Sequence, residues 1–398
     1  MKKTSSILAI LVCFATFNCR AQWVQLNSGT IETLNTVYFT DNNTGYAGGS
    51  GATFATLLKT TNGGQAWSPI NINTVNAINS ICFPNSQIGY LVTTKGEVFK
   101  TTNAGANWVL NKNTGTQYKS VLTFLNKDTG FVAYGYQTIF RTLNGGVSWD
   151  STFLSGFYNS TSFSFPSVQI GYLVSFGGQV AKTTDMGNSW AIIGQPTSKS
   201  LEGVSFSSID TGYTVGGDGT SNIILKTVNG GANWSTQITN PISTTAIQAV
   251  HFIKHNFGYI GGISPHKTVN GGVQWNSMTP NLFQARSFSF PSDTIGYAVG
   301  YNGKIFKLNG LASKLDHSSN LNRFSVSPNP ITSSALIKFD EYQKDAQVII
   351  KDVFGREVFR HTLDGKELII EKGEFNSGYY IIQIVKDNII INKKIIVD

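Results

Sequence analysis

The tryptophans of this 398-residue chain form one evenly spaced ladder. Successive tryptophans are 41 or 44 residues apart, and each after the first ends a copy of a turn typified by Thr-Thr-Asn-Gly-Gly-x-x-Trp, called here the repeat turn. The seven are Trp23, Trp67, Trp108, Trp149, Trp190, Trp234 and Trp275. A fixed period of about 40 residues predicts repeated structural units, either the blades of a propeller or the coils of a solenoid.

A second ladder indicates what each unit contains. One glycine-aromatic pair recurs at a matching position in each of seven units, as in Gly89-Tyr90, and each of these seven pairs opens a short apolar run. In the second unit, strand-like segments span 78–83, 89–93, 97–101 and 107–111, with glycine or polar turns between them. Four short antiparallel strands per unit are typical of a propeller blade, so the solenoid is the alternative.

The two ends of the repeat complete each other. Trp23 has no strands before it, whereas the last unit, which begins near Arg286, has three strands and no tryptophan. Residues 22–26 therefore supply the missing fourth strand, and closing the ring leaves no long open sheet edge. We expect an all-β chain whose residues 22–310 form a seven-bladed β-propeller closed by an N-terminal strand.

The repeat turn resembles the Asp-box, or BNR repeat, with asparagine in place of aspartate in every copy except the one at Asp185. The whole unit is similar to the propeller of the photosystem II stability and assembly factor family. That resemblance implies a turn between the third and fourth strands, far from the ligand-binding face. An asparagine can cap such a turn as an aspartate does, so the substitution leaves the fold prediction unchanged.

Residues 1–21 are predicted to be a signal peptide, with Lys2 and Lys3 before an apolar run and Ala21 at the cleavage site. Lipidation at Cys19 is the alternative. Cleavage leaves Cys82 as the single cysteine, which excludes an intrachain disulfide. The mature chain has no apolar stretch long enough for a transmembrane segment.

A polar linker at 311–322 precedes a second domain at 323–398, where alternating strands predict a small immunoglobulin-like β-sandwich. Its sequence resembles the type A C-terminal sorting domain of the type IX secretion system. The matching segments are Pro328-Asn329-Pro330, the Asp352 to Val358 turn, Gly378-Tyr379-Tyr380 and Lys393 to Val397. The resemblance implies contact with the type IX machinery and a secreted, extracellular or cell-surface location; a carbohydrate-binding or adhesive sandwich is the alternative.

The net charge of +8 does not predict nucleic acid as a partner. Many propeller cations occupy one repeat position before the turn, so symmetry spreads them around the ring instead of making one basic patch. These are Lys59, Lys100, Arg141, Lys182, Lys226, Lys267 and Lys307. We expect them to be solvated.

Chemistry-bearing motifs are sparse. Glycosidases need two facing carboxylates, and Glu97 and Glu202 lie at ordinary strand positions while most propeller aspartates lie in turns. His251 and His255 are four apart on a strand and turn, which does not bring both imidazoles to one metal. We expect no cofactor, metal site or catalytic residue. A secreted binding or scaffold module is the prediction, and an Asp-box-type glycoside hydrolase is the alternative.

The expected binding face is formed by the loops that enter the first strand of each blade and join the second strand to the third. Insertions at 48–54 and 216–222 lengthen two of these loops. Exposed aromatic side chains there could stack on a polysaccharide or anchor a protein partner. The candidate binding residues are Tyr118 and Tyr136 in blade three, Phe157, Tyr158 and Phe176 in blade four, Asp218 in blade five, and Phe283, Arg286 and Tyr301 in blade seven.

Overall fold

The computed structural model describes residues 22–115, 120–237, 247–262, 265–278, 284–309, 324–352, 355–386 and 389–398. Its contacts divide the chain into two compact units, Met1–Leu311 and Ala312–Asp398. The predicted signal peptide and the predicted linker lie outside the described residues. Within the described residues, strands dominate and the one helical element is a short 3-10 turn at Lys372–Glu374.

Seven four-stranded antiparallel sheets make up the first unit. The closing strand is β1 (Gln22–Leu26). Blade one consists of β2 (Leu34–Phe39), β3 (Gly45–Gly49), β4 (Thr56–Thr60) and β5 (Ser68–Pro69). Blade two consists of β6 (Ile78–Cys82), β7 (Gly89–Thr93), β8 (Glu97–Thr101) and β9 (Val109–Asn113). Blade three consists of β10 (Val121–Phe124), β11 (Gly130–Tyr134), β12 (Tyr136–Thr142) and β13 (Asp150–Tyr158). Blade four consists of β14 (Ser160–Ser164), β15 (Gly171–Ser175), β16 (Val180–Thr183) and β17 (Ala191–Gly194), and blade five of β18 (Ser200–Phe206), β19 (Gly212–Gly217), β20 (Asn222–Thr227) and β21 (Ser235–Thr236). Blade six consists of β22 (Ala249–Lys254), β23 (Phe257–Gly261), β24 (His266–Thr268) and β25 (Asn276–Ser277). Blade seven consists of β26 (Ala285–Ser292), β27 (Ile295–Gly300) and β28 (Ile305–Asn309), together with β1.

The predicted closure is confirmed. Strand β1 pairs antiparallel with β28, so that Trp23 lies opposite Leu308 in the last sheet. The Trp23 side chain is only 4% exposed, and its indole Nε1 donates to the Met278 sulfur of blade six at 3.0 Å. The last repeat needs no tryptophan of its own because the first one fills its place.

A repeated aromatic sandwich joins neighbouring blades. The ring after each ladder glycine stacks on the phenylalanine at the end of the next blade's first strand, and that blade's tryptophan meets the phenylalanine edge-on. Between blades two and three, the Tyr90 and Phe124 centroids are 3.5 Å apart and Trp149 stands at 87° to Phe124. The stacked pairs are Tyr46–Phe83, Tyr90–Phe124, Phe131–Phe165, Tyr172–Phe206, Tyr213–Phe252, Tyr259–Phe290 and Tyr297–Phe39.

The ladder glycine is needed because the phenylalanine of its own blade lies directly over it. A Cβ built on Gly89 would be 2.4 Å from the Phe83 ring, closer than atoms can pack. The absence of a side chain therefore lets the phenylalanine reach both the next tryptophan and the preceding blade's tyrosine.

Six of the seven cations of the repeat position, all except Lys267, are described donating to a carbonyl oxygen in the next blade's repeat turn, which corrects the expectation that they are solvated. Lys226 Nζ and Tyr213 Oη both donate to the Gly271 carbonyl in the repeat turn of the next blade, at 2.7 and 2.8 Å. Because the side chains are half-buried, desolvation lowers the pKa of Lys226 and of Lys307. The equivalent lysine bonds are Lys59 to Ala104, Lys100 to Gly145, Lys182 to Gly230 and Lys307 to Gly63.

The second unit is a five-stranded sandwich-like sheet around one core. Its strands are β29 (Phe324–Ser327), β30 (Ser334–Asp352), β31 (Glu357–Glu371), β32 (Gly378–Lys386) and β33 (Ile389–Val397). The long β30 pairs with β29 at its start, with β32 at its end and with β31 along most of its length, with register shifts near Gln343. Ile337 near the start of β30 and Ile382 in β32 share one buried cluster, as a folded-over sheet requires.

Candidate binding face

One repeat position places a polar side chain at the inner end of every blade. It lies four residues before the phenylalanine that ends the first strand, and we call the set the polar ring. Its members are Asn35, Asn79, Ser120, Thr161, Glu202, Gln248 and Arg286. Because the first strands line the central channel, side chains from all seven blades meet at its mouth.

The polar ring lines a cavity of about 320 Å³. Phe176 also lines it, from the loop that joins the second and third strands of blade four. The cavity therefore opens on the face expected from the loop pattern, which we call the entry face. A volume near 300 Å³ is at the small end of the range for ligand-binding pockets.

Two buried polar atoms in this cavity have no hydrogen-bond partner among the described residues. They are the amide nitrogen Nδ2 of Asn79 and the amide oxygen Oε1 of Gln248. By contrast, Asn35 Nδ2 donates to the Ile78 carbonyl at 2.9 Å, and the Thr161 hydroxyl lies 2.7 Å from the Leu201 carbonyl. Leaving a buried polar group unpaired costs about 1–3 kcal/mol. Each of these two atoms has less than 1 Å² of accessible surface, so a molecule in the cavity can reach them only when the half-buried amide side chains turn towards it.

The two charged members of the ring lie on either side of blade six. Arg286 of blade seven donates to Tyr301 Oη at 2.6 Å, and its guanidinium lies 4.9 Å from the centre of the Tyr301 ring. Tyr301 stays 37% exposed. Glu202 lines the cavity from blade five, so the ring carries one negative and one positive side chain.

The structure brings together some of the sequence-predicted residues. Phe176 and Arg286 line the cavity, and Tyr301 lies beside Arg286. Tyr158 is 50% exposed at the end of β13. Tyr118 and Phe283 lie outside the described residues; Tyr136 begins β12, and its side chain is likewise outside the description.

Two expectations about the longest outer strand are corrected. Phe157 and Tyr158 belong to blade three, not blade four, because β13 extends through nine residues and pairs Tyr158 with Tyr136. Phe157 is 1% exposed and packs with Phe131 and Trp190, so its ring is a core ring. The aromatic side chain supports the joint between blades three and four.

Asp218 organises its own loop. One carboxylate oxygen accepts bonds from the backbone amides of Thr220 and Ser221 at 2.9 and 2.8 Å, and the other pairs with Lys199. The Lys199 ammonium, followed by the Thr220 and Ser221 donors, holds the pKa of Asp218 well below its usual range. This carboxylate is already occupied as the cap of the inserted loop.

Two further titratable groups of the propeller, Glu97 and His251, are partly buried in its structure. Glu97 accepts from Thr74, Asn76 and Thr93 at 2.6–3.0 Å, and these bonds hold its pKa low against the opposing effect of burial. Burial lowers the pKa of His251 to about 4, and its ring stacks 5.0 Å from Phe290. No cluster of three or more histidine, cysteine or acidic residues suited to a metal occurs in the described part of the chain.

Sequence reasoning missed Asn79, Gln248 and the place of Glu202 in the ring. Each looks like an ordinary strand residue within its own unit. The signal becomes visible when the units are aligned on the phenylalanine, because the position four residues earlier is polar in all seven. In a first strand that lines a channel, a uniformly polar position indicates the water-filled end.

Residues 325–398 match the family described as the secretion system C-terminal sorting domain. No curated protein sequence matches the chain. The match confirms the predicted type IX sorting domain, which indicates export to the cell surface or the extracellular space. Among the described residues, no helix is long and apolar enough to cross a membrane.

Solved structures confirm the propeller fold. YCF48 bound to D1 peptide has a TM-score of 0.60 and 18% identity, with 72% of this chain and 96% of that chain covered. PorZ, an essential bacterial surface component of the type IX secretion system of Porphyromonas gingivalis, has a TM-score of 0.50 and 15% identity, covering 91% and 59%. An ancestral GH74 enzyme has a TM-score of 0.59 and 15% identity, covering 93% and 54%. At such low identities, these likenesses show the fold alone.

Proposed function

We propose that this protein is a non-enzymatic binding module of the cell surface or extracellular space, which holds a protein or polysaccharide partner at the entry face. The sorting domain brings the propeller across the outer membrane, and the propeller provides the recognition surface. The observation that carries the proposal is the cavity at the channel mouth, which is lined by one polar side chain from each of the seven blades.

The comparisons support a surface role without defining the ligand. A PorZ structure with a similar fold comes from a bacterial surface component, and a YCF48 structure holds a peptide. Neither identity is high enough to transfer a partner. Recognition by this chain therefore depends on the side chains of its own polar ring.

A glycoside hydrolase is the second candidate, favoured by the likeness to a GH74 enzyme. This chain covers only 54% of that enzyme. Hydrolysis by the usual mechanisms requires a pair of carboxylates across the scissile bond. Among the described residues that line the cavity, Glu202 is the sole carboxylate, which favours binding without turnover.

The test is to incubate the purified protein with plant and bacterial polysaccharides and with sialosides, and to measure both retention on the polymer and release of new reducing ends. The proposal predicts that no glycan is cleaved. Hydrolysis that disappears in Glu202→Gln would establish the enzyme instead. Hydrolysis that survives Glu202→Gln and co-purifies with the protein would mean a catalytic site outside the cavity, which would also reject the proposal.

A further inference from the structure

We infer that the polar ring binds one end, or one short stretch, of a neutral oligosaccharide. This inference rests on the proposed binding function and narrows its ligand to one chemical class. The observation behind it is the composition of the ring, which combines amides and hydroxyls with one carboxylate, one guanidinium and a neighbouring aromatic ring.

The ring favours an uncharged ligand. Five of its seven members are amides or hydroxyls, and the charges of Glu202 and Arg286 are opposite in sign. A polyanion would need several free cations at the mouth. The repeated lysines with described hydrogen bonds, such as Lys226, donate to carbonyl oxygens of the next blade's repeat turn. They are therefore not free to bind an anionic ligand at the mouth.

The amide side chains of Asn79 and Gln248 line the cavity, and an amide carries both a donor group and an acceptor oxygen. When these side chains turn towards the cavity, Asn79 Nδ2 can donate to a ligand and Gln248 Oε1 can accept from it. A sugar hydroxyl does both, and adjacent hydroxyls on one ring present several such groups in a fixed arrangement. Phe176 and Tyr301 add aromatic surface at the cavity and its rim, against which the apolar face of a sugar ring can pack.

A peptide that binds by adding a strand is disfavoured, because the innermost strands already use their edges. Serines of one blade accept hydrogen bonds from backbone amides of the next blade, so those amides are not available to a peptide. Phe206 N donates to Ser164 Oγ at 2.9 Å, and Phe39 N donates to Ser289 Oγ at 3.0 Å. Further bonds of this kind join Val37 to Ser287, Val204 to Ser162 and Phe252 to Ser205.

The cavity volume limits how much of the ligand enters. About 320 Å³ accommodates about one or two sugar units, whereas a folded partner would have to rest on the rim. The rest of an oligosaccharide would run outward across the entry face, where Tyr158 is exposed.

The test is isothermal titration calorimetry of the full chain with a fixed panel of neutral tetrasaccharides of glucose, xylose, mannose and N-acetylglucosamine. A fixed panel of individual heptapeptides is titrated in parallel. At least one tetrasaccharide should bind with one site per chain. Asn79→Ala and Gln248→Ala should each weaken that binding about tenfold without lowering the melting temperature, since each removes a polar group that has no partner in the free protein.

Two variants provide matched controls. Asn35→Ala changes the same residue type at the same repeat position of the neighbouring blade, but it removes the bond to Ile78 and should lower the melting temperature. Asn107→Ala changes an exposed asparagine of a repeat turn and should leave both affinity and melting temperature unchanged.

The outcomes separate the ligand class from the function. Peptide binding without tetrasaccharide binding would reject the oligosaccharide and keep the binding function. Tetrasaccharide binding that ignores Asn79→Ala and Gln248→Ala would reject the polar ring as the site. Binding to neither panel would reject the oligosaccharide ligand, and the polymer-retention assay would then decide the proposed binding function.

Discussion

Replacing Trp23 by alanine should destabilise the propeller far more than any change to its immediate neighbour in the closing strand. Trp23 is 4% exposed and has edge or tilted contacts with Tyr259, Phe288 and Phe290 at centroid distances of 5.8–6.4 Å. Removing a buried tryptophan side chain costs about 3–5 kcal/mol. For a domain of this size, that loss lowers the melting temperature by roughly 10 °C.

The chain supplies its own reporter and its own control. All seven tryptophans lie between positions 23 and 275, so tryptophan fluorescence follows the unfolding of the propeller and is silent on the sorting domain. Val24→Ala changes the adjacent residue of β1, whose side chain is 44% exposed, and should shift the transition by no more than about 2 °C.

Equal melting temperatures for Trp23→Ala and the parent protein would refute the reasoning. That result would mean that β1 does not hold the ring closed in solution. A large shift for Val24→Ala as well would show instead that the strand pairing, and not the indole, carries the stabilisation.

Three further predictions concern the stability of the propeller. Gly89→Ala should destabilise the propeller by more than about 2 kcal/mol, because the added Cβ would meet the Phe83 ring. Gly194→Ala is the control, since no atom lies near its Cβ and little effect is expected. Urea denaturation measures both variants, and equal unfolding midpoints would contradict the close approach of Phe83 to Gly89. Lys226→Met should lower the free energy of unfolding by about 1–2 kcal/mol in the same assay, because it loses the hydrogen bond to the Gly271 carbonyl. Lys95→Met, at an exposed position, should change the free energy of unfolding very little. Equal losses of stability would indicate that the repeated lysines are solvated. Desolvation lowers the folded-state pKa of the half-buried His251 to about 4 from an ordinary 6.5, so the stability that its neutral ring contributes is present above pH 6.5 and is lost as the pH falls towards 4. His251→Phe should remove up to about 3 kcal/mol of this acid sensitivity in urea denaturation at pH 7 and pH 4, and an unchanged pH profile would contradict the desolvation of the ring.

The tryptophan and glycine-aromatic ladders were enough to predict the architecture, because each marks a packing contact that every blade must make. The glycine lies beneath the phenylalanine of its own blade. The aromatic ring that follows the glycine stacks on the phenylalanine of the next blade, and the tryptophan of that next blade contacts the same phenylalanine edge-on. Counting alone places Trp23 in the last blade, because the chain begins with a tryptophan strand that has no unit of its own and ends with a unit that lacks its fourth strand. The pairing of β1 with β28 confirms that placement.

The binding face was harder to predict, because it depends on how far each loop and strand extends. Phe157 looked like a loop aromatic, but nine residues of β13 carry it into the core between two blades. The repeated lysines looked solvated because their acceptor is a carbonyl in the next blade, about 45 residues away in the cases of Lys59, Lys100 and Lys226. The polar ring was not recognised because each of its members is unremarkable within its own unit.

The most direct test of the account is a crystal structure of the full chain with the panel compound that binds it most tightly, whether a tetrasaccharide or a peptide. We predict electron density for that compound in the channel mouth, within hydrogen-bonding distance of the side-chain amides of Asn79 and Gln248. Density on the repeat-turn face or along the outer strands, with the channel mouth holding water alone, would contradict the claim that this propeller binds its partner through the polar ring.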